Sequence, residues 1–232
     1  LVPVVLKNKV ERRYRGEAGR AYHQATHSVP DISYSWVARL RAEKIGPYVH
    51  AKDTVLEYGV GIGWNLARIA CERRLGFDLS ETVEVVVESH GIEFVRDIGN
   101  ISDKSIDAAI CHHVLEHTSH PADVLEEIRR ILRHKGVLLL FVPYERERRF
   151  RRYHAKEANH HLYSWNVQTL GNLVHNVGFK VLEAKVGRFG YDRFAAVWAH
   201  RFGLGESGFR IVRRVVHIVR PMFEVRIVGE RE

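Results

Sequence analysis

The sequence predicts an α/β fold: a doubly wound, mostly parallel seven-stranded sheet with an antiparallel edge strand. Two observations point there. Short β-rich runs alternate with helical patterns from residue 54 to residue 186. A glycine-rich turn, Gly59-Val-Gly-Ile-Gly63, also ends the first of those runs and leads into the next element. Glycine suits a tight turn whose backbone is approached closely by a ligand. Size agrees, since 232 residues with 45% apolar content can bury one sizeable core.

The elements follow in order. Residues 1–30 mix Arg, Tyr and His without a clear period. Ser33 to Val49 reads as a helix, with Trp36, Val37, Leu40 and Ile45 on one stripe and Gly46-Pro47 as its stop. Thr54 to Tyr58 is a strand, and Trp64 to Arg73 reads as a helix. A short strand ends near Gly76-Phe77-Asp78. Val83 to Ser89 reads as a helix because it bridges two parallel strands, the second at Ile92 to Arg96. Ser105 to Cys111 is a buried strand. Pro121 to Arg133 carries an early proline, early acids, late arginines and Gly136 just beyond, all marks of a helix. Val137 to Val142 is an apolar strand ended by Pro143. Asn166 to Asn176 is a helix, with Ser164 a candidate N-cap and Gly178 its stop. Phe179 to Val186 and Phe223 to Val228 are strands, expected to pair antiparallel at the sheet edge. Between them, Phe209 to Arg220 is a basic amphipathic helix, its apolar face made by Ile211, Val212, Val215, Val216 and Val219.

Composition excludes several classes. Enough aromatic and apolar residues are present to rule out a disordered chain. The longest apolar runs, such as Gly136 to Pro143, fall far short of the roughly 20 residues that cross a bilayer. Leu1 to Leu6 is too short for a signal-peptide core. Two cysteines, Cys71 and Cys111, exclude a disulfide scaffold and fit a cytoplasmic setting. The net charge is +8, and arginine carries most of the positive charge. It is densest at Glu145 to Arg152 and Arg210 to Arg226.

The glycine spacing, Gly59-x-Gly61-x-Gly63, is not the G-x-G-x-x-G of dinucleotide sites, which disfavours a nicotinamide oxidoreductase. Glu57 stands two residues before Gly59. A carboxylate there repels a pyrophosphate but suits a ligand bearing an ammonium group. Asp78, at the end of the next strand, is placed to accept from a ribose diol.

With these residues, the chain resembles the class I S-adenosylmethionine-dependent methyltransferases, in particular the small bacterial enzymes typed as methyltransferase 11 or 23. Five blocks carry the likeness in order: Glu57-x-Gly59-x-Gly61-x-Gly63, Gly76-Phe-Asp-Leu-Ser80, Arg96-Asp97-Ile98, Ser105 through His117, and Gly136 through Pro143. The resemblance implies a Rossmann-like fold and S-adenosylmethionine as cofactor. Glu57 would lie near the methionine amino group, and Gly59, Gly61 and Gly63 would form the loop. Asp78 would take the ribose hydroxyls, with Leu79 beside the adenine. Asp97 would accept from the adenine amino group, with Ile98 covering the ring. His112 and His113 would face the methionine part and the methyl. One methyltransferase domain is expected over 1–232: a helical cap (1–50), a cofactor-binding core (51–187), a helical insertion (188–220), and a last strand and tail (221–232).

His113-Val-Leu-Glu-His117 also matches the H-x-x-E-H pattern of zinc peptidases. Its place after the fourth strand argues against a catalytic metal, and none is expected. The variant in which Glu116 and His117 hold a metal with His160 or His161 stays open, since some RNA-terminal methyltransferases carry such a pair in this loop. His113, which the resemblance places facing the methyl, is one candidate catalytic residue; His161 and Tyr163 are the others, because related enzymes carry a similar His-Leu-Tyr-Ser-Trp stretch near the substrate opening and imidazole titrates near neutral pH. The expected acceptor is a small molecule or a saccharide-type group, methylated on oxygen or nitrogen, and the arginines admit an anionic one. Two alternatives are an RNA methyltransferase, though no nucleic-acid motif accompanies the arginines, and a cofactor-binding module without turnover. The basic C-terminal helix admits contact with an anionic membrane.

Overall fold

A computed structural model describes residues 10–145, 152–153 and 159–232. Its sheet has seven strands: β1 (Thr54–Tyr58), β2 (Arg73–Phe77), β3 (Glu93–Val95), β4 (Ile106–His112), β5 (Leu132–Pro143), β6 (Phe179–Arg188) and β7 (Phe223–Arg231). Their spatial order is β3-β2-β1-β4-β5-β7-β6. β1 to β5 pair in parallel, and β7 runs antiparallel to both β5 and β6. The antiparallel strand thus sits one place in from the β6 edge. It pairs with β6 as expected and also separates β6 from β5.

Helices cover both faces: α1 (Gly16–His27), α2 (Asp31–Ile45), α3 (Glu84–Ser89), α4 (Pro121–Ile131), α5 (Val167–Asn176), α6 (Asp192–Arg201) and α7 (Gly205–Val219). Strand alternation divides the core. Leu56, Ala109, Leu138 and Leu140 pack with Leu125 and Ile128 of α4 and Leu170 of α5. Val55, Ile110 and Leu139 face the other way, against Leu66, Ile69, Val87 and Ile92. A smaller cluster joins Trp36 and Val37 of α2 to Ala195, Ala196 and Ala199 of α6 and Phe209 of α7.

Three local expectations change. Residues 64–73 form no helix. β2 already begins at Arg73, and the nine residues left after the glycine loop make one turn, in which the N–H of Ala67 donates to the carbonyl of Gly63. Trp64, Leu66 and Ile69 are nevertheless buried. Asn166, rather than Ser164, caps α5, in a reciprocal capping box with Thr169.

The third change is the rotation of α7. Its basic side turns inward. Arg213 meets buried Asp192 at 2.6 Å, and Arg210 pairs with Glu43 and Glu206. His217 is buried against the Gly190 carbonyl. Ile211, Val215, Ile218 and Val219 face outward, the last 80% exposed. The buried carboxylate of Asp192 recruits Arg213, and the helix turns with it. Among the described residues no helix is long and apolar enough to cross a membrane.

Candidate active site

The strand order reverses between β1 and β4, so their carboxyl ends bound a crevice, the usual ligand position in an open α/β sheet. Here it is a cavity of about 1350 Å³. Single-ligand pockets run to roughly 1,000 Å³. The space therefore suits a cofactor together with an acceptor.

The floor is the loop after β1. Gly59 and Gly61 have φ of +82° and +51°. A Cβ on Gly59 would lie 2.3 Å from Val114 Cγ2, so both the backbone angle and the space call for glycine. Gly63, φ +84°, is turned away from the cavity, and its Cβ would strike Ile92. Its role is packing beneath the loop.

Glu57 ends β1 beneath this loop and is 1% exposed. Asn65 Nδ2 donates to its Oε1 at 2.5 Å, while its Oε2 has no hydrogen-bond partner. Burial pushes its carboxyl up to about 8, against the pull of Asn65 and Arg41. Asp78 holds the loop shut. Its Oδ2 accepts from the Gly61 N–H at 2.8 Å and its Oδ1 from the Ser80 N–H at 2.9 Å. Asp97 accepts from the Gly99 N–H, and Leu79, Asp97 and Ile98 line the same end of the cavity.

The opposite wall is rich in imidazole. His113 follows β4 in the left-handed region, φ +57°, unusual for a non-glycine residue. Its ring lies between two buried carboxylates, 3.4 Å from Glu224 Oε2 and 3.7 Å from Glu116 Oε1. Burial outweighs the attraction of Glu224 and pushes its pKa down to about 4. His112 touches the cavity but turns its Nε2 away, accepting from Arg41 Nη1 at 2.6 Å and Lys44 Nζ at 2.9 Å. Burial, then these two cations, drives its pKa far down, so it is neutral. Burial pushes the Glu224 carboxyl up, but Lys44 and His113 overcome that and bring it to about 2.

Beyond lies a second group. Glu116 is 1% exposed and neither oxygen has a hydrogen-bond partner. Burial raises its carboxyl to about 8. His117 stands beside it, and His161 packs edge-on against His117 at 4.8 Å between ring centroids. His161 Nδ1 is 2.9 Å from Glu145 Oε1. Tyr163 is not brought to the cavity. It stacks on Trp165 and donates its hydroxyl to the Ser119 carbonyl.

Sequence reasoning missed the N-terminal wall. Tyr14, Tyr22, His23 and His27 line the cavity from α1 and the segment before it. His23 Nε2 lies 3.7 Å from Asp78 Oδ1, and the His23 and His27 rings lie 5.4 Å apart, tilted to one another, beside Gly61. Their i, i+4 spacing was visible, but not the cofactor loop they meet. The residues of the arginine run from 146 to 151 lie outside those described.

The cradle fits S-adenosylmethionine. The orphaned buried oxygen of Glu57 suits an ammonium, and the positive-φ glycines leave backbone surface bare. Comparison with known proteins agrees. A family model described as a methyltransferase domain matches residues 31–184. A Mycobacterium tuberculosis protein named "Probable S-adenosylmethionine-dependent methyltransferase" is 30% identical over 122 residues, 49% of this chain and 44% of that protein. A human thiol S-methyltransferase is 30% identical over 103 residues, 39% of this chain and 42% of its own. The matched part thus spans less than half of each curated relative. Among solved structures, the Burkholderia thailandensis 1,6-didemethyltoxoflavin-N1-methyltransferase superposes with TM-score 0.65 at 17% identity, covering 100% of this chain and 91% of that one. A Haemonchus contortus phosphoethanolamine N-methyltransferase gives 0.59 at 15%, covering 91% and 59%. At such identities these structures speak for the fold. The family match and the cofactor cradle together place the chain among the class I S-adenosylmethionine-dependent methyltransferases.

Proposed function

We propose that this chain transfers a methyl group from S-adenosylmethionine to a small-molecule or saccharide-type acceptor. The observation that carries the proposal is the size and division of one cavity: a glycine and carboxylate cradle at one end, an imidazole wall at the other. Glu57 would receive the cofactor's ammonium, Asp78 its ribose and Asp97 its adenine, with Leu79 and Ile98 against the ring. When bound, the cofactor supplies an electrophilic methyl on a sulfonium. The chain's part is to align the acceptor, keep water out and take its proton. His113 is the proposed base, and His161 takes that part only where its Nε2 holds no metal. Both are cavity residues, and the low pKa of His113 keeps it neutral and able to accept.

Arg15, Arg193 and Arg220 at the cavity wall favour an acceptor that bears negative charge. Hydroxyl, amine and thiol nucleophiles are all candidates, the thiol because one relative is a thiol S-methyltransferase. Arg214 and Arg220, beside the outward apolar face of α7, support a further proposed contact, with an anionic membrane surface.

The test is calorimetry with S-adenosylhomocysteine, followed by an acceptor panel read by S-adenosylhomocysteine release. Binding that Asp78→Ala and Gly61→Val abolish is expected. No binding by the wild-type chain would sink the proposal. Binding without release across hydroxyl, amine and thiol acceptors would leave a module without turnover.

A further inference from the structure

The geometry points to a divalent transition-metal site formed by Glu116, His117 and His161 at the acceptor end of the cavity. One ligand atom from each lies within 4.8 Å of the other two. Glu116 and His117 are neighbours in the turn after β4, and the fold brings His161 to them from the segment before α5.

Three independent features indicate a cation. First, Glu116 is fully enclosed, yet both its oxygens lack a hydrogen-bond partner. A buried carboxylate without partners is costly, and a cation offsets that cost. Second, both imidazoles are already oriented from behind. His117 Nδ1 is 2.9 Å from the Tyr14 hydroxyl, which leaves its Nε2 toward Glu116, at 3.8 Å from Oε1. His161 Nδ1 is 2.9 Å from Glu145 Oε1, which leaves Nε2 as its open nitrogen. Metal-bound histidines are held in this way, through the nitrogen that does not ligate. Third, all three residues line the cavity, so a bound ion keeps a face open to the acceptor. Binding at the usual bond lengths, about 2.0–2.2 Å, would draw the three groups inward by roughly 1 Å.

The neighbouring group His112, His113 and Glu224 has a similar composition but a different state. Lys44 Nζ already fills its centre, 2.9 Å from His112 Nε2 and 3.0 Å from Glu224 Oε1. The lysine nitrogen stands there where a metal would. No cation of the chain stands within salt-bridge distance of Glu116 among the described residues; its ion-pair neighbours are the imidazoles.

Two imidazoles and one carboxylate select zinc, ferrous iron or cobalt over magnesium and calcium, which prefer oxygen donors. The metal's role rests on the proposed methyl transfer. An acceptor hydroxyl or thiol taken as a further ligand would lose its proton at lower pH, and the resulting anion would be the nucleophile.

The test begins with chelator-treated protein titrated with Co2+, read by visible absorption, and with Zn2+, read by calorimetry. One equivalent per chain is expected. Glu116→Gln and His161→Gln should each weaken binding by about 100-fold, and Glu145→Gln by about 10- to 100-fold, as for orienting partners. His112→Gln should leave metal affinity unchanged. Thermal melts and S-adenosylhomocysteine binding of each variant report whether it folds. Absence of stoichiometric Co2+ or Zn2+ binding at micromolar metal would overturn the site. So would binding that survives both Glu116→Gln and His161→Gln, or that His112→Gln abolishes. Cofactor binding is measured separately, so a metal-free protein that binds S-adenosylhomocysteine overturns this site and leaves the methyltransferase reading standing.

Discussion

Glu57 makes the sharpest residue-scale claim, because its burial and its missing partner have a measurable consequence. Its folded carboxyl titrates near 8, well above the ordinary carboxylate range. At pH 7 it is therefore mostly protonated while the cradle is empty. An ammonium placed beside it favours the charged form, so binding should release a proton. Calorimetry of S-adenosylhomocysteine at pH 7 in buffers of different ionisation enthalpy should give close to one proton released, and Glu57→Gln should remove that release and weaken binding. Equal heats in all buffers would refute this. The same shift has a stability sign. The native state holds a proton that the unfolded state has lost between about 4.5 and 8, so Glu57 makes the empty protein less stable as pH rises through that window. Thermal melts of wild type should fall more steeply there than those of Glu57→Gln. Gly59→Ala is a second case. Its methyl would meet Val114 Cγ2 at 2.3 Å, in a backbone conformation that alanine resists. A loss of cofactor affinity of more than tenfold, about 1.4 kcal/mol, is expected. The type and place of Glu57, Gly59, Asp78 and Asp97 were legible in the sequence because each lies within two residues of a strand's carboxyl end. The direction of a ring was not. His112 sits at the strand end the sequence implies, yet Arg41 and Lys44, some seventy residues earlier, turn its nitrogen aside.

At the scale of elements, the strands and helices were largely legible, since each carries its own periodicity and stop signals. What escaped was the orientation of elements that face charge. α7 shows why. Its apolar stripe predicts a buried face by periodicity alone, but buried Asp192 draws Arg213 inward, Glu43 of α2 pairs with Arg210, and Ile211, Val215 and Val219 of the stripe turn outward while Val212 and Val216 stay half-buried. Asp192 is held by Arg41 at 2.5 Å and Arg213 at 2.6 Å while itself only 4% exposed. Burial raises its carboxyl, and the two guanidiniums lower it further, so it is ionised. Removing it leaves a buried arginine unpaired, and Asp192→Ala should cost about 3–5 kcal/mol in denaturant unfolding. A loss below 1 kcal/mol would show that the α2–α6–α7 corner is held by its apolar cluster alone. The outward stripe has its own test. If it rests on a membrane, the protein should sediment with vesicles rich in anionic lipid and not with neutral ones. Ile211→Glu with Ile218→Glu should abolish this without changing the melting temperature. Equal sedimentation of the double variant would exclude α7 as the contact.

The molecule as a whole places its two kinds of information in different parts of the chain. The sheet and its loops supply the cofactor cradle in sequence order, which is why five separated blocks sufficed to read it. The N-terminal segment supplies the cover, and its contacts are long-range: the Tyr14 hydroxyl meets His117 across 103 positions, and His23 meets Asp78. No local pattern marks such pairs, so residues 1–30 read as featureless. The cover is also lightly attached. None of the three buried apolar clusters includes a residue from α1, whose buried residues are Gly19 and His23. A segment held by few apolar contacts opens at low cost, as lids over cofactor sites do. Gly19 is the point of closest approach, where a Cβ would lie 2.3 Å from the Tyr14 carbonyl oxygen and 2.7 Å from Ser80 Oγ. Gly19→Val should therefore lift α1 from the Ser80 turn while leaving the sheet intact. The melting temperature should shift by only a few degrees, the effect of about 1 kcal/mol in a chain of this size. S-adenosylhomocysteine affinity should fall, and proteolytic cutting within residues 16–27, slowed by S-adenosylhomocysteine in the wild type, should become fast and insensitive to it. Unchanged affinity in a variant whose α1 is cut freely would show that the cradle holds its ligand without the cover, and that the imidazoles of α1 serve only to shield the cavity.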